Sequence, residues 1–228
     1  MMALLASFLI ATNATPAELV MSCRTMVPSD VELDGRIILR NRKGFAQAEY
    51  GYVLTRCGGE TDLVLRDSAG AEVPFEREGR ILGTDVTWSD ITLDYLWWDD
   101  FSFDAEREAE SVHGQKCAVV VMKKGDRTVR VWVDRKTGAL MQAEELSGDK
   151  PVRRLWGTRI KKFGDRWMAN VMEVETLGSG HRTKITVEEL NEEIVQIHME
   201  DRVVAVCSGG RCRVDPAALD RTGGEDRR

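Results

Sequence analysis

The sequence lacks long apolar runs, an excess of basic charge, clustered histidines and the cysteine spacing of a metal or redox site, and each absence removes a class of function. Its N-terminal apolar run, Ala3 to Ala11, is far too short to span a bilayer. A net charge of -6 over 228 residues leaves no electrostatic footprint for nucleic acid or for an anionic membrane surface. The three histidines, His113, His181 and His198, are scattered, without a His-x-x-x-His, Gly-x-Ser-x-Gly or phosphate-cradling glycine motif around them. Asp94, Asp99, Asp100 and Asp104 lack the ligand spacing of a calcium loop and read as a solvated rim. The compact "SGHRT", Ser179 to Thr183, reads as a glycine-flanked turn opening a strand. No catalytic residue, metal or cofactor is expected, and no nucleic-acid partner.

Five cysteines (Cys23, Cys57, Cys117, Cys207, Cys212) leave at least one unpaired, and none forms Cys-x-x-Cys. In "CSGGRC" the four-residue insert suits a hairpin turn that would let Cys207 and Cys212 bridge in an oxidising compartment; two reduced thiols fit equally well. Cys117, inside "CAVVVM", reads as a small buried hydrophobe.

What is present is a set of local signals that change along the chain. The apolar run and the small residues after it have the form of a secretory signal over residues 1–14, although no Lys or Arg precedes Arg24 and an upstream start would be needed to supply the usual basic segment. Export is the expectation, and lipidation at Cys23, beyond Pro16 and Glu18, is not. "TPAELVMSCRTMVP" reads as a short helix: Thr15 is the N-cap, Pro16 the first position, Glu18 closes a capping box and Pro28 stops it. Leu19, Val20, Cys23, Met26 and Val27 share a face that needs a partner surface.

From Val31 the period becomes twofold. Runs such as "VELDGRIILR", "CAVVVM", "RTVRVWVD", "ALMQAEEL", "VRRLWGTRIKKF" and "HRTKITVEEL" alternate with turn chemistry at "KKGD", "RKTG", "SGD", "FGD" and "GSG". The connections are too short for crossover helices, so consecutive strands are antiparallel neighbours in a long meander. Val129, Val131 and Val133 share one face and Thr128 and Arg130 the other, so one side is apolar and one is wet. Strands of ten or more residues exceed roughly 33 Å, and a sheet of many such strands must twist and curl.

The apolar side then needs filling, and two segments can do it. One is the N-terminal helix. The other is "GTDVTWSDITLDYLWWDDF": Thr87 or Ser89 can cap a helix with Asp90 in its first turn and Ile91, Tyr95 and Trp98 at helical spacing. The same residues read as a strand put Ile91, Leu93, Tyr95 and Trp97 on one face; the threonines and the acids at 85, 90 and 94 favour a short helix. Six tryptophans and nine methionines supply adaptable apolar surface. One domain is expected over residues 15–205, followed by a C-terminal extension, 206–228, disordered from about Thr222.

Taken in order, "GTDVTWSDITLDYLWWDDF", "GQKCAVVVM", "VRVWVDRKTGALMQAEELSGD", "RRLWGTRIKKFGDRWM" and "VMEVETLGSGHRTKITV" resemble the outer-membrane lipoprotein-sorting proteins, the LolA-like family, in a branch marked by "LWW" and "SGHRT". The resemblance implies a mainly β (α+β) fold, a curved antiparallel half-barrel wrapped over a few short helices, and a periplasmic carrier of lipoprotein acyl chains or other lipid that works, as a monomer, between membrane-bound donor and acceptor proteins. The alternative is an interaction or envelope-sensor module of the same fold without a cavity. Side-chain character and position make Leu96, Trp97, Trp98, Phe101, Trp132, Trp156, Trp167, Met168 and Met172 the candidates to line the cavity.

Overall fold

The computed structural model describes residues 14–107, 109–199, 202–208 and 211–214. The N-terminal segment is α1 (Pro16–Met26), and its start follows from the sequence: the Thr15 hydroxyl accepts from Glu18 N, and the Glu18 carboxylate accepts from Thr15 N at 2.7 Å. Leu19, Val20 and Cys23 are buried on one face; Met26 is exposed, one turn past the contact.

The rest is strand: β1 (Val31–Arg40), β2 (Ala46–Cys57), β3 (Glu60–Arg66), β4 (Glu72–Val73), β5 (Asp100–Phe103), β6 (Ala109–Val112), β7 (Gln115–Lys124), β8 (Arg127–Asp134), β9 (Leu140–Ser147), β10 (Lys150–Phe163), β11 (Arg166–Thr176) and β12 (Arg182–Asn191). They form one open antiparallel sheet in the order β4-β3-β2-β1-β12-β11-β10-β9-β8-β7-β5, with β6 also on β7. The meander holds within β1–β4 and within β7–β12. The two runs are joined where β12 returns to β1, nine register pairs from Glu32↔Asn191 to Arg40↔Arg182. Gly35 sits at the bulge in that seam: a Cβ there would run into the Thr186 carbonyl oxygen and the Tyr52 ring, so the close approach requires glycine.

Three further strands, β13 (Ile194–Met199), β14 (Arg202–Ser208) and β15 (Arg211–Val214), form a separate sheet that runs across position 205, where the domain was expected to end. Its register sets Cys207 opposite Cys212. The bridge itself, a matter of side chains, lies outside the described part of the chain, as do the expected signal up to residue 13 and the tail from Thr222. No helix among the described residues is long and apolar enough to cross a membrane.

Two apolar clusters cover the inner face of the sheet. One joins Leu19, Val20 and Cys23 of α1 to Tyr95, Leu96 and Trp98 and to β7–β9 through Val120, Met122, Val129, Val131, Val133 and Ala143. The other joins Ile81, Val86 and Ile91 to Ile37, Tyr52, Leu54, Leu65, Leu155, Val174 and Ile185. Both clusters draw on one segment, residues 81–98, lying under the sheet.

Candidate functional site

The segment that fills the inner face is not the single helix its spacing suggests. It contains a 3-10 turn (Ile81–Gly83), a helix of five residues, α2 (Trp88–Thr92), and a second 3-10 turn (Asp94–Trp97). α2 starts as the sequence predicts, with the Asp90 carboxylate accepting from Thr87 N at 2.6 Å. It stops at Leu93, which adopts φ 53° and ψ 34°; Leu82 stands at φ 48°. A leucine in the left-handed region costs roughly 1–2 kcal/mol, so both bends are strained. The bend at Leu93 sends Ile91 into one apolar cluster and Tyr95 and Trp98 into the other.

Between the clusters lies a buried polar seam. Arg153 of β10 reaches inward, its Nη2 bonded to Asp90, its Nη1 to Glu145 at 2.7 Å and Thr87 Oγ1 at 3.2 Å, and its Nε to the Asp85 carbonyl at 3.2 Å. Asp85 fixes the start of the segment: its carboxylate accepts from Thr183 Oγ1 at 3.1 Å and Thr176 N at 3.3 Å, and its N–H donates to Thr183 Oγ1. Arg56 Nη2 donates to the Thr92 carbonyl, while Arg24 of α1 donates to the Leu96 and Trp98 carbonyls. Burial raises the Asp90 carboxyl above its usual range, against the opposing pull of Arg153 and the Thr87 hydrogen bonds.

Polar satisfaction is poorest at the same segment. Arg56 Nη1, Asp94 Oδ1, Tyr95 Oη and Trp98 Nε1 are buried with no hydrogen-bond partner among the described residues. Each such group costs about 1–3 kcal/mol of desolvation without return. A small pocket between segment and sheet, beside Asp90, Tyr95, Val129 and Leu155, has a volume of about 20 Å³, room for about one water. A wider cleft of about 530 Å³ opens beside Arg77, Arg80 and Trp88 and reaches Glu145 and Arg153 of the seam.

The structure distributes the nine candidate residues over both faces. Leu96 and Trp98 are buried in the inner cluster and Phe101 packs against it, while Met172 packs against the other. Trp97, beside Trp98, is 42% exposed and is covered by the Arg56 guanidinium at 4.7 Å. Trp132, Trp156 and Trp167 stand away from the two inner clusters. Alternation with Val131 and Val133 turns Trp132 to the outer face, where it is buried with Val112, Cys117 and Val119 and its indole N–H donates to Glu110. Alternation with Leu155 turns Trp156 outward, under Arg182 at 5.0 Å. Trp167 stands 66% exposed near the end of the β10–β11 hairpin, with half-buried Met168 next to it. The residues that hold the segment in place, Arg153, Asp85 and Arg56, were not among the candidates.

Other motifs are structural. The Ser179 hydroxyl accepts from His181 N at 3.0 Å between two glycines of positive φ. Asp104 pairs with Arg130 at 2.6 Å, and no group of three His, Cys, Asp or Glu among the described residues is placed to hold a metal ion. Cys23 is buried with its thiol against the Gly138 carbonyl, and burial pushes it up to about 12; Cys117, wholly buried, is pushed to about 11 by the same cause.

The model of a family described as "Uncharacterized protein" matches residues 73–199, more than half of the chain and all of the inner segment. The chain belongs to that family. No curated protein matches it in sequence. Among solved structures, a LolA superfamily protein from Nitrosomonas europaea aligns with a TM-score of 0.60 at 13% identity, covering 78% of this chain and 93% of its own. An outer-membrane lipoprotein-sorting protein domain from Vibrio parahaemolyticus aligns at 0.57 with 14% identity, covering 82% and 94%. A DUF1329 family protein from Desulfovibrio piger aligns at 0.56 with 15% identity, covering 83% and 96%. At these identities the likeness establishes the architecture: the curved antiparallel sheet over short helices, the half-barrel that the resemblance implied, is LolA-like.

Proposed function

We propose that this protein is an exported, periplasmic carrier or sorting protein that takes acyl chains of lipoproteins or other lipids onto the inner face of its half-barrel, in the place held here by residues 81–98. A chain of some sixteen carbons cannot cross water unshielded, because each exposed methylene costs about 0.8 kcal/mol. A carrier between loads must cover the same apolar wall with its own residues, and that cover must be easier to displace than the wall. The observation that carries the reading is the cover itself: strained at Leu82 and Leu93, with four buried polar atoms at or against it unpaired, and placed over a charged seam. Segments of low local stability are the ones that open. The sorting-protein architecture of the Vibrio domain supports the same reading. Leu96, Trp98, Phe101 and Met172 are the side chains that would meet cargo.

Native mass spectrometry of gently purified protein tests it. Lipid adducts, or uptake of added fatty-acyl probes, are expected; a homogeneous species that refuses them all sinks the carrier reading. The filled inner face favours a second reading, an interaction module that never opens. It predicts no uptake and a protein partner recovered by crosslinking in the absence of lipid.

A further inference from the structure

The cleft of about 530 Å³ has residues 77–80 on one side and the start of α2 with the polar seam on the other. Gly79 stands at φ 80°, which glycine adopts without steric cost, and the bend it makes brings Arg77 and Arg80 to the same cleft. A backbone bridge from Arg80 to Thr87 sets this bend beside α2. Trp88 supplies the apolar part of the wall: its ring stacks on Phe75 at 6.4 Å, and the Arg77 guanidinium lies 4.5 Å over its centroid.

Four guanidiniums line the cleft, and they are not equally occupied. Arg153 is already held by Asp90 and Glu145. Arg127 donates to Ser89 Oγ at 2.7 Å and comes only within 3.9 Å of Asp94. Arg77 and Arg80 have no carboxylate at ion-pair distance among the described residues, and the contact with Trp88 holds the Arg77 charge without neutralising it. Against these three cations the cleft presents Glu78, since Glu145 is taken by Arg153. A chain of net charge -6 therefore gathers positive charge on one concave wall. The buried Ser89 hydroxyl, which accepts from Arg127, keeps its own proton to give.

Guanidiniums with unspent N–H groups suit an anion, because their planar forks meet oxygens two at a time. A metal ion or an ammonium group would meet the same cations and be repelled. Arg77 and Arg80 approach from one wall and Arg127 from the other; a tetrahedral phosphate accepts donors from several directions, whereas a planar carboxylate does not. The volume is that of a small-molecule site and exceeds what a bare ion needs.

We propose that this cleft binds a phosphate group, carried by a lipid headgroup or by a small phosphate ester, with Arg77 and Arg80 as its main contacts and Arg127 and Ser89 at the inner end. The cleft shares Ser89, Arg127, Glu145 and Arg153 with the small pocket under residues 81–98, so a phosphate held there stands beside the inner face. The site does not depend on acyl-chain uptake: a carrier could load without it, and a non-carrier could use it.

Calorimetric titration of the full chain tests the proposal with glycerol phosphate and with dihexanoyl-phosphatidylglycerol kept below its micelle concentration. Saturable binding, weakened by salt, is expected. Equal affinities make the ligand a small phosphate ester, and a lipid bound at least about tenfold tighter makes it a headgroup. Hexanoate, a planar anion, and dihexanoylglycerol, which lacks the phosphate, bind more weakly than the phosphate lipid. R77Q/R80Q loses at least about tenfold in affinity, the scale of one charge-assisted hydrogen bond. R40Q/R42Q, which removes the same charge at the β1–β2 turn, binds as wild type does. Arg77 and Arg80 are exposed, so thermal unfolding of R77Q/R80Q stays at the wild-type temperature. Uptake of neutral fatty-acyl probes is unchanged in R77Q/R80Q, which separates failure of this site from failure of the carrier reading. The proposal is overturned if neither phosphate compound binds, if hexanoate or dihexanoylglycerol binds as tightly as the phosphate lipid, or if R40Q/R42Q loses as much as R77Q/R80Q.

Discussion

Two buried carboxylate–guanidinium pairs sit on opposite faces of the same sheet, and they behave in opposite ways. On the outer face Asp104, just after β5, accepts from Arg130 Nε at 2.6 Å and from Glu106 N at 3.0 Å. Arg130 also faces Glu144, which Arg154 approaches at 2.7 Å from the solvent side. Burial raises the Asp104 carboxyl, but the hydrogen bonds and nearby cations outweigh it and leave it below its usual range. On the inner face the order is reversed: burial of Asp90 under its own segment outweighs Arg153 and the Thr87 donors. The outer network clamps the loop after β5 to the sheet edge and stabilises it as a charged group. The inner pair holds residues 81–98 over the wall while the charge it buries works against that position. Such a pair gives the segment one defined seat without binding it tightly.

Breaking the inner pair has the largest expected effect. Arg153→Met leaves Asp90 as a buried charge without its guanidinium and is expected to cost about 3–5 kcal/mol in denaturant unfolding. Removing both charges, Asp90→Asn with Arg153→Met, is expected to recover most of that loss, giving a coupling of about 2 kcal/mol or more in a double-mutant cycle. Additive losses would mean that the two side chains contribute independently and that the seam is not a pair at all.

The outer pair is the smaller term. Asp104→Asn removes a charge-assisted hydrogen bond but leaves Arg130 beside Glu144, and about 1–2 kcal/mol is expected. A loss larger than that of Arg153→Met would reverse the assignment of clamp and seat.

How much of this was legible in the sequence depends on whether the cause is local. The capping box at Thr15 and Glu18 and the turns of β7–β12 are set by residues within a few positions of one another, and they stand where the sequence puts them. The return of β12 to β1 is a pairing between residues some 150 positions apart, with no local signature. For the inner segment, Thr87 and Asp90 announced a helix, but nothing nearby foretold Leu93 in the left-handed region; the demand to serve two apolar clusters overrides propensity there. The side on which Trp132 stands was legible in the sequence. Once Val129, Val131 and Val133 are assigned inward, the twofold period sends Trp132 outward. Arg153 was harder to find. The bulge between Pro151 and Arg153 shifts the pairing with β9, so only the folded register brings its guanidinium to Glu145 and Asp90.

The most delicate test of the comparison is its pH dependence, because the two aspartates should change stability with opposite slopes. Stability rises with pH wherever the unfolded chain binds more protons than the folded one. Asp104, depressed when folded, contributes stability that is fully present above the ordinary carboxylate range, near 4, and is lost as pH falls through its folded value. Asp90, raised when folded, holds its proton more tightly in the folded chain. Its burial therefore costs nothing below the ordinary range, and the cost grows as pH rises from there through the raised folded value. Subtracting the unfolding free energy of each Asn variant from that of wild type removes the many carboxylates common to both. The wild-type minus Asp104→Asn difference should fall as pH drops below about 4, and the wild-type minus Asp90→Asn difference should fall as pH climbs above it. Parallel curves would mean that the inner carboxylate is as well compensated as the outer one, and residues 81–98 would then be a permanent part of the core rather than a displaceable cover.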